Sequence, residues 1–578
     1  MKVRLAKSAG FCMGVRRAMK IVLEELNKRR SGPLYTLGPL IHNNQVLDLL
    51  AAKGVRTVDD PSGIDSGEVV IRAHGIGPEK RRAIRRAGLS IIDATCPRVA
   101  RVHALVRSYT RKGYAAVIVG DRNHPEVQGI MGYSEGPVHV VEEARDVSRL
   151  PPMEPVFAVA QTTQDRASFQ EITKLLQERF PGIRIFNTIC DATRERQQEV
   201  RVLAGQVDGM VVVGGYHSGN TRRLAQVSRN AGVPTFHVET EKDLDRERLA
   251  NMQVIGITAG ASTPNWMIKN VAREIEAIRS RRESSVIRGL RRTFKFLLLS
   301  NLLAAGGAFS LSFAAATLSL RHAGPAFPML TFLYIYAMHV LNRFLDKGAS
   351  AYNDPERAAF LKKHRGLLVI SGIAAGIGGL VLAFHIGMAP FLVLSAVTLL
   401  GIFYSLPLVP EKYRERVSYA KIKDIPGSRG LSESLAWVTV ITVLPLLEEK
   451  AIVWPAALTA FLAVLLISYV RSVLFDIFQE QGDLIVGTET LPIMLGKKKT
   501  LSLLRGILLC AGGVLIASPL AGFSSPFSYV MLIPLAGEAL CLLAHEREWL
   551  YPGIMQEALV EANFYLAGLL AFLWQALP

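Results

Sequence analysis

Three of the five cysteines in this chain, Cys12, Cys96 and Cys190, stand in the short contexts GFCMG, DATCPR and TICDAT. Gly, Pro and Asp beside them suit turns rather than mid-strand core positions. No C-x-x-C pair accompanies them, which argues against zinc. An odd count in a reducing compartment argues against a disulfide framework. Three thiolates meeting in space could hold a 4Fe–4S cluster and leave one iron without a protein ligand, open to substrate. The competing reading is buried structural cysteine. Cys510 and Cys541 lie in apolar runs and read as filler. His42, His74, His124, Ser218 and Asn220 stand at other turns, and are the neutral or switchable donors that a diphosphate requires.

The elements that must carry these groups are legible. GEVVIRAHGIGPEKRRAI, YAAVIVGDRNHPEVQGIM and GMVVVGGYHSGNTRRLAQV each run from a β-branched strand through a polar turn into a helix, and LYTLGPLIHNNQVLDLL is a looser version. Repeated strand-turn-helix predicts an α/β fold with parallel strands. Ligands of such folds collect at the carboxyl ends of the strands, where helix N-termini offer free N–H groups to anions.

At 578 residues the chain is too long for one core. Its formal charge of +18 points to phosphorylated substrates, an anionic membrane surface or nucleic acid. Mean hydropathy is +0.26, with the apolar residues concentrated after about Arg292. The opening MKVRLAKSAG is too short and charged for a leader, so the front half is expected in the cytoplasm. Nucleic acid is excluded as a partner, because the bases collect beside apolar runs and no recognition motif interleaves them.

Eight motifs follow in order over about residues 1–278: GFCMGVRRA, RAHGIG, DATCPRV, HPEVQGIMG, AQTTQ, ICDATRERQ, HSGN and TAGASTP. On these the front half resembles the 4-hydroxy-3-methylbut-2-enyl diphosphate reductases, the LytB family. The resemblance implies a 4Fe–4S cluster on Cys12, Cys96 and Cys190, with the substrate hydroxyl at the open iron. It implies Glu126 as the proton-supplying acid, with Thr162 in its relay, and His42, His74, His124, Ser218, Asn220 and Ser262 around the diphosphate. Many members read Ser-Ser-Asn where this chain reads Ser218-Gly219-Asn220, so the Gly219 amide is expected to stand in for the hydroxyl. An electron donor such as a ferredoxin or flavodoxin is implied as partner.

The basic stretch AREIEAIRSRRESSVIRGLRRTF leads into the apolar half. There, about nine runs are long enough to cross a bilayer. The long loops NRFLDKGASAYNDPERAAFLKKHR and EKYRERVSYAKIKDIPGSR are basic and the alternate loops short, which puts the long ones in the cytoplasm with the front half. Asn342 and Asp346 share one helix face, and so do Asp476, Glu480 and Asp483. Carboxylates at the end of an apolar helix are costly and suit Mg²⁺ with substrate phosphate oxygens. Lys421, Lys423 and Arg429 are expected to grip the diphosphate.

NRFLD and DIFQEQGDLIVGTETLPIMLG resemble the two motifs of the UbiA intramembrane prenyltransferases, over about residues 290–578. The resemblance implies nine spans and Mg²⁺-assisted ionisation of a prenyl diphosphate, with Asn342, Asp346, Asp476 and Asp483 holding the metal through the diphosphate. Arg343, Ser350 and Gln479 replace acidic positions of that pattern. The expected organisation is a reductase domain at 1–280, a basic connector at 281–295 and an all-α, polytopic membrane domain at 296–578. The expected protein is bifunctional in isoprenoid biosynthesis on the methylerythritol phosphate route, at the bacterial inner membrane. The alternative is an active reductase whose membrane half is only an anchor or a degenerate lipid-binding or transport module.

Overall fold

The computed structural model describes residues 2–27, 33–278, 285–322, 324–345, 352, 354–405, 422, 425, 427–486, 490–547, 549 and 554–576. The chain divides into two compact units, Met1–Glu283 and Ser284–Pro578.

The first unit holds three four-stranded sheets in which every neighbouring pair is parallel. The first sheet consists of β2 (Leu34–Leu37), β3 (Val55–Val58), β4 (Glu68–Ile71) and β5 (Ser90–Asp93), in the order β3-β2-β4-β5. The second consists of β6 (Ala115–Val119), β7 (Val138–Val141), β8 (Val156–Ala160) and β9 (Arg184–Phe186), in the order β7-β6-β8-β9. The third consists of β10 (Gly209–Val213), β11 (Thr235–Val238) and β12 (Val254–Ala259), closed by β1 (Lys2–Leu5) from the start of the chain, in the order β11-β10-β12-β1. Lys2 stands opposite Val254 in that register.

The central strands read VVI, AAVIV, VFAVA and MVVV, and all of these residues are buried. Parallel strands covered by helices on both faces lose the polar alternation of a half-exposed sheet, which explains these uninterrupted apolar runs. Each fully buried Val or Ile contributes about 1.5–3 kcal/mol relative to exposure.

The three sheets follow one plan, and the plan positions the chemistry. One edge strand of each leads to a cysteine at the start of a helix. β1 leads to Cys12 before α1 (Met13–Asn27), β5 to Cys96 before α4 (Pro97–Thr110), and β9 to Cys190 before α7 (Asp191–Ala204). The two central strands of each sheet end in the other candidate turns. β2 leads to His42 before α2 (Asn44–Ala52), and β4 to His74 before α3 (Pro78–Arg86). β6 leads to His124 before α5 (Pro125–Gly132), and β8 to Thr162 before α6 (Arg166–Arg179). β10 leads to Ser218 before α8 (Gly219–Asn230). A short α9 (Arg246–Ala250) precedes β12, which leads to Ser262 before α10 (Asn265–Ala277). Pro78, Pro97 and Pro125 open their helices, where the missing N–H costs nothing and the fixed φ helps.

The second unit is helical. Its elements are α11 (Ser285–Leu299), α12 (Leu302–Leu318), α13 (Ala326–Leu345), α14 (Pro355–Lys363), α15 (Arg365–Ile386), α16 (Met388–Ser405), α17 (Ser428–Val438), α18 (Trp454–Val486), α19 (Lys497–Leu520), α20 (Leu532–Glu546) and α21 (Ile554–Ala576), with short turns between some of them. Among the described residues, five helices are long and apolar enough to cross a membrane, or six if the pair α11 and α12 counts as one span. That pair is bent by 74°. Asn301 at the break has a φ of 65°, a left-handed conformation that Asn tolerates and that ends the first helix.

The nine runs expected from sequence therefore exceed the helices that qualify by length and composition. α13 carries His339, Asn342 and Arg343 in its second half, and α16 is short. Ile370, Leu399, Leu509 and Phe572 are each more than half exposed, an apolar outer surface that suits lipid. Inside, α12 and α21 pack closely enough that a side chain on Gly568 would lie 2.5 Å from the Ser310 carbonyl oxygen.

Candidate active sites

Cys12, Cys96 and Cys190 converge, each half-buried at a helix N-terminus. The first turn of α1 runs against two of them: a Cβ on Gly14 would lie 2.6 Å from Cys96 Sγ and 3.9 Å from Cys12 Sγ. The charges of Cys12 and Cys190 both act on Cys96. Backbone N–H groups are turned toward all three sulfurs. Val15 N–H donates to Cys12 Sγ at 3.4 Å, those of Arg98 and Val99 serve Cys96, and those of Ala192 and Thr193 serve Cys190. Burial pushes the Cys96 and Cys190 thiols up, and these amides pull the other way. Helix N-termini favour thiolates, so the arrangement suits metal-bound sulfur.

Beneath the thiols lies buried Arg196, six residues beyond Cys190, which donates to the Gly10 carbonyl at 2.6 Å. Its charge interacts with Cys12 and Cys190, and its Nε–H is buried without a partner. A cation near two of the thiols offsets part of the repulsion that their charged forms would feel. The donor set and the cradle closed by Gly14 fit a cluster held by three cysteines.

His42, His74 and His124 face one another, with ring centroids 4.7, 5.6 and 5.4 Å apart. Burial, followed by neighbouring positive charge, pushes all three imidazoles down, His124 to about 4. They are therefore neutral near pH 7. His124 caps α5, its Nδ1 accepting from the Glu126 N–H at 3.1 Å. In a neutral ring that acceptor role leaves the proton on Nε2, a donor suited to an anion's oxygen. His42 Nε2, His74 Nδ1 and Asn220 Nδ2 are buried without partners, as expected of groups awaiting a polar ligand. Ser262 Oγ donates to the His42 carbonyl at 3.1 Å, and Ser218 Oγ accepts from Thr221 N–H at 3.4 Å. Gly219 stands at the first position of α8, with His124 Cδ2 3.9 Å from where its Cβ would be.

Glu126 is 1% exposed. Thr162 donates to it twice, through N–H at 2.7 Å and through its hydroxyl at 3.0 Å. Burial pushes the Glu126 carboxyl up, against these bonds and the Arg223 charge. A cavity of about 560 Å³ is lined in part by His124, two residues before Glu126, and by Gln161, next to Thr162, with Gly219 and Arg223.

Several residues here were quoted within motifs without being singled out. Arg72 acts electrostatically on all three histidines, and Gln161 accepts from Asp121 N–H at 3.0 Å and lines the cavity. Arg196 and Arg223 complete this group. For the three arginines the usable signal was a cation inside RAHGIG and ICDATRERQ and just after HSGN.

In the second unit, Asp476 and Asp483 lie on α18, 4% and 0% exposed, with Glu480 less buried on the same helix. Arg429 Nη1 stands 3.6 Å from Asp476 Oδ1 and 3.7 Å from Asp483 Oδ2, so three of the expected groups meet. Asn342 is half-buried in the last turn of α13. Asp346, Ser350, Lys421 and Lys423 lie outside the described residues. Sequence reading missed a buried ion cluster one turn deeper on α18. Arg471 donates to Glu433 at 2.7 Å and to Glu561 at 2.9 Å, with its guanidinium 4.6 Å from the Trp437 ring centroid.

Residues 3–276 match the LytB protein family. The 4-hydroxy-3-methylbut-2-enyl diphosphate reductase of Geobacter sulfurreducens is 46% identical over 277 residues, covering 48% of this chain and 97% of that protein. The chain belongs to the LytB family. A solved LytB-family structure, the E-1-hydroxy-2-methyl-but-2-enyl-4-diphosphate reductase from Plasmodium falciparum, is 32% identical; the match covers 47% of this chain and 87% of that one, with a TM-score of 0.46. Beyond the LytB unit, residues 274–549 match the UbiA prenyltransferase family, which the second unit resembles. A UbiA homolog from Archaeoglobus fulgidus bound to GPP and Mg²⁺ is 15% identical; the match covers 48% of this chain and 99% of that one, with a TM-score of 0.36.

Proposed function

We propose that the first unit reduces (E)-4-hydroxy-3-methylbut-2-enyl diphosphate to isopentenyl and dimethylallyl diphosphate. Two electrons and two protons enter, the allylic C–O bond breaks, and water leaves. The observation that carries this reading is the meeting of three thiols beside three neutral imidazoles, at the carboxyl ends of three parallel sheets.

Cys12, Cys96 and Cys190 would hold a 4Fe–4S cluster, which when bound supplies electrons and a Lewis-acidic iron. His42, His74 and His124, with Ser218, the Gly219 amide, Asn220 and Ser262, bind the diphosphate. Glu126, whose carboxyl burial pushes up, gives its proton to the departing oxygen, and Thr162 holds the carboxyl in place. The donor of electrons is a ferredoxin or flavodoxin. Met13 beside Cys12 is 61% exposed, and Arg16 and Arg17 of the same helix are exposed, an apolar side chain with positive charge close by in the chain that suits an acidic carrier.

The second unit is a multi-pass domain in the bacterial inner membrane, with the reductase on the cytoplasmic side. α13, α16 and α17 would complete nine spans, and the basic segment at 281–295 would lie against the lipid headgroups. Its reaction is prenyl transfer, with Asn342, Asp346, Asp476 and Asp483 holding Mg²⁺ through the diphosphate. An anchoring role is favoured instead by one contact, the Arg429 guanidinium between Asp476 and Asp483.

The test is anaerobic purification of the full chain with iron and sulfide analysis, and turnover with a chemical reductant. About four irons per chain and activity are expected, both lost in Cys96→Ser. Iron-free protein after careful anaerobic handling would overturn the reductase reading. For the second unit, Mg²⁺-dependent diphosphate release from a prenyl diphosphate in vesicles is expected, and its absence would leave the anchor.

A further inference from the structure

A second cavity of the first unit, about 520 Å³, shares no lining residue with the first. Arg81 of α3 and Arg107, Arg111 and Lys112 of α4 and its end line it, together with His103 and Tyr133. Its carboxylates are fewer than its cations. Asp93 pairs with Arg81, and Glu135 takes both Arg107 Nε at 3.1 Å and Arg111 Nε at 2.8 Å. Four positive side chains against two negative ones leave the cavity positive by two charges, the charge of a phosphate dianion. Arg81 Nε is buried without a partner. The back wall is aromatic: His103 stacks on Tyr133 with centroids 4.4 Å apart and planes 18° apart.

The same His103 is the partition between this cavity and the reductase site. A Cβ on Gly75, next to His74, would lie 2.6 Å from His103 Cε1. A Cβ on Gly129, in the helix that carries Glu126, would lie 3.4 Å from His103 Nε2. Both glycines are what let the two turns rest on the imidazole.

We infer that this cavity is a second anion site, for a small molecule bearing a phosphate or diphosphate group with a short flat or apolar body against Tyr133. It is separate from the diphosphate cradle of the histidines and does not depend on the reductase reading. The guanidinium groups supply forked donors, and Lys112 a point charge.

The probe is radiolabelled inorganic diphosphate in equilibrium dialysis against the full-length holoprotein. EDTA is present, so that metal-dependent binding is suppressed, and no other diphosphate is added. Wild type is expected to bind diphosphate at this cavity in addition to any held by the histidines. Affinity should fall about tenfold or more in the double variant Arg107→Ser, Lys112→Ser, as loss of two charged contacts implies. Turnover of that variant in the absence of added diphosphate should be unchanged, which excludes misfolding as the cause. Equal binding in wild type and variant would overturn the inference. Complete displacement by chloride at matched ionic strength would also overturn it, as the mark of an adventitious ion only.

Discussion

Thr162 holds both oxygens of the Glu126 carboxyl, its N–H donating to one and its hydroxyl to the other. One residue thus fixes the plane of the acid. Burial pushes this carboxyl above its ordinary range. The acid works only when protonated, so the rate should fall as pH rises through that raised value. Stability shifts in the same direction, because a carboxyl raised in the folded state favours folding at low pH and loses that contribution as pH climbs. Glu126→Gln should lower kcat by about 10²–10⁴-fold and abolish the alkaline limb, with iron content and substrate binding retained. A pH–rate profile that keeps the same limb in the variant would remove Glu126 from the role of acid.

The histidine cradle makes a separate prediction about protons. All three imidazoles are pushed down and neutral before substrate arrives. A diphosphate among them stabilises their charged forms, so binding should take up protons, and affinity should rise as pH falls from 8 toward 6. Calorimetric titration in two buffers of different ionisation enthalpy measures the uptake directly. Identical heats in both buffers would mean that the cradle binds with neutral donors alone.

Gly14 should be intolerant of any side chain. Its Cβ would lie 2.6 Å from Cys96 Sγ and 3.0 Å from Cys96 Cβ. Gly14→Ala is expected to fold, judged by far-ultraviolet circular dichroism, yet to retain little iron after anaerobic reconstitution. Full iron content would show that the thiols can move aside.

Gly219 offers the opposite case. The neighbour nearest to an added Cβ is His124 Cδ2, at 3.9 Å, an ordinary contact. Gly219→Ser should therefore fold and restore a hydroxyl at the diphosphate. We expect KM to fall several-fold with kcat unchanged, in line with about 0.5–1.5 kcal/mol for one hydrogen bond. An unchanged KM would mean that the backbone amide already does this work.

In the second unit, Arg471 ties α18 to Glu433 and Glu561 while fully buried. Arg471→Ala strands two carboxylates inside the bundle and should destabilise it by about 3–5 kcal/mol. Chemical unfolding in micelles measures this. A loss under about 1 kcal/mol would mean that water reaches the cluster.

How much of this was legible beforehand differs by element. The segments around β4, β6 and β10 carry β-branched strand, turn and helix in unbroken order, and the structure has those elements there. The partnership of β1 with β12 left no local trace, because parallel pairing of Lys2 with Val254 depends on the whole intervening fold. The cysteines could be read as ligands only through their motif contexts, since their separations in sequence carry no metal spacing. Arg72 and Arg196 escaped because a charged residue in a helix or turn is ordinarily solvated, and only the fold shows these two turned inward. Arg471 escaped for a related reason: its partners are 38 and 90 residues away.

The closure of the third sheet by the first strand also orders events on the ribosome. Cys12 is made before Cys96 and Cys190, yet the strand before it has no neighbour until Val254–Ile257 exist. Cys96 and Cys190 belong to sheets formed from contiguous stretches of chain, and each can fold as its own lobe is completed. The third ligand arrives last, although it was synthesised first. Translation of the apolar helices from Ser285 onward begins soon after that strand is made. On the function proposed above, metal delivery to the first unit and insertion of the following helices would fall in the same short interval of synthesis, and cofactor supply and membrane targeting would be simultaneous demands on one nascent chain.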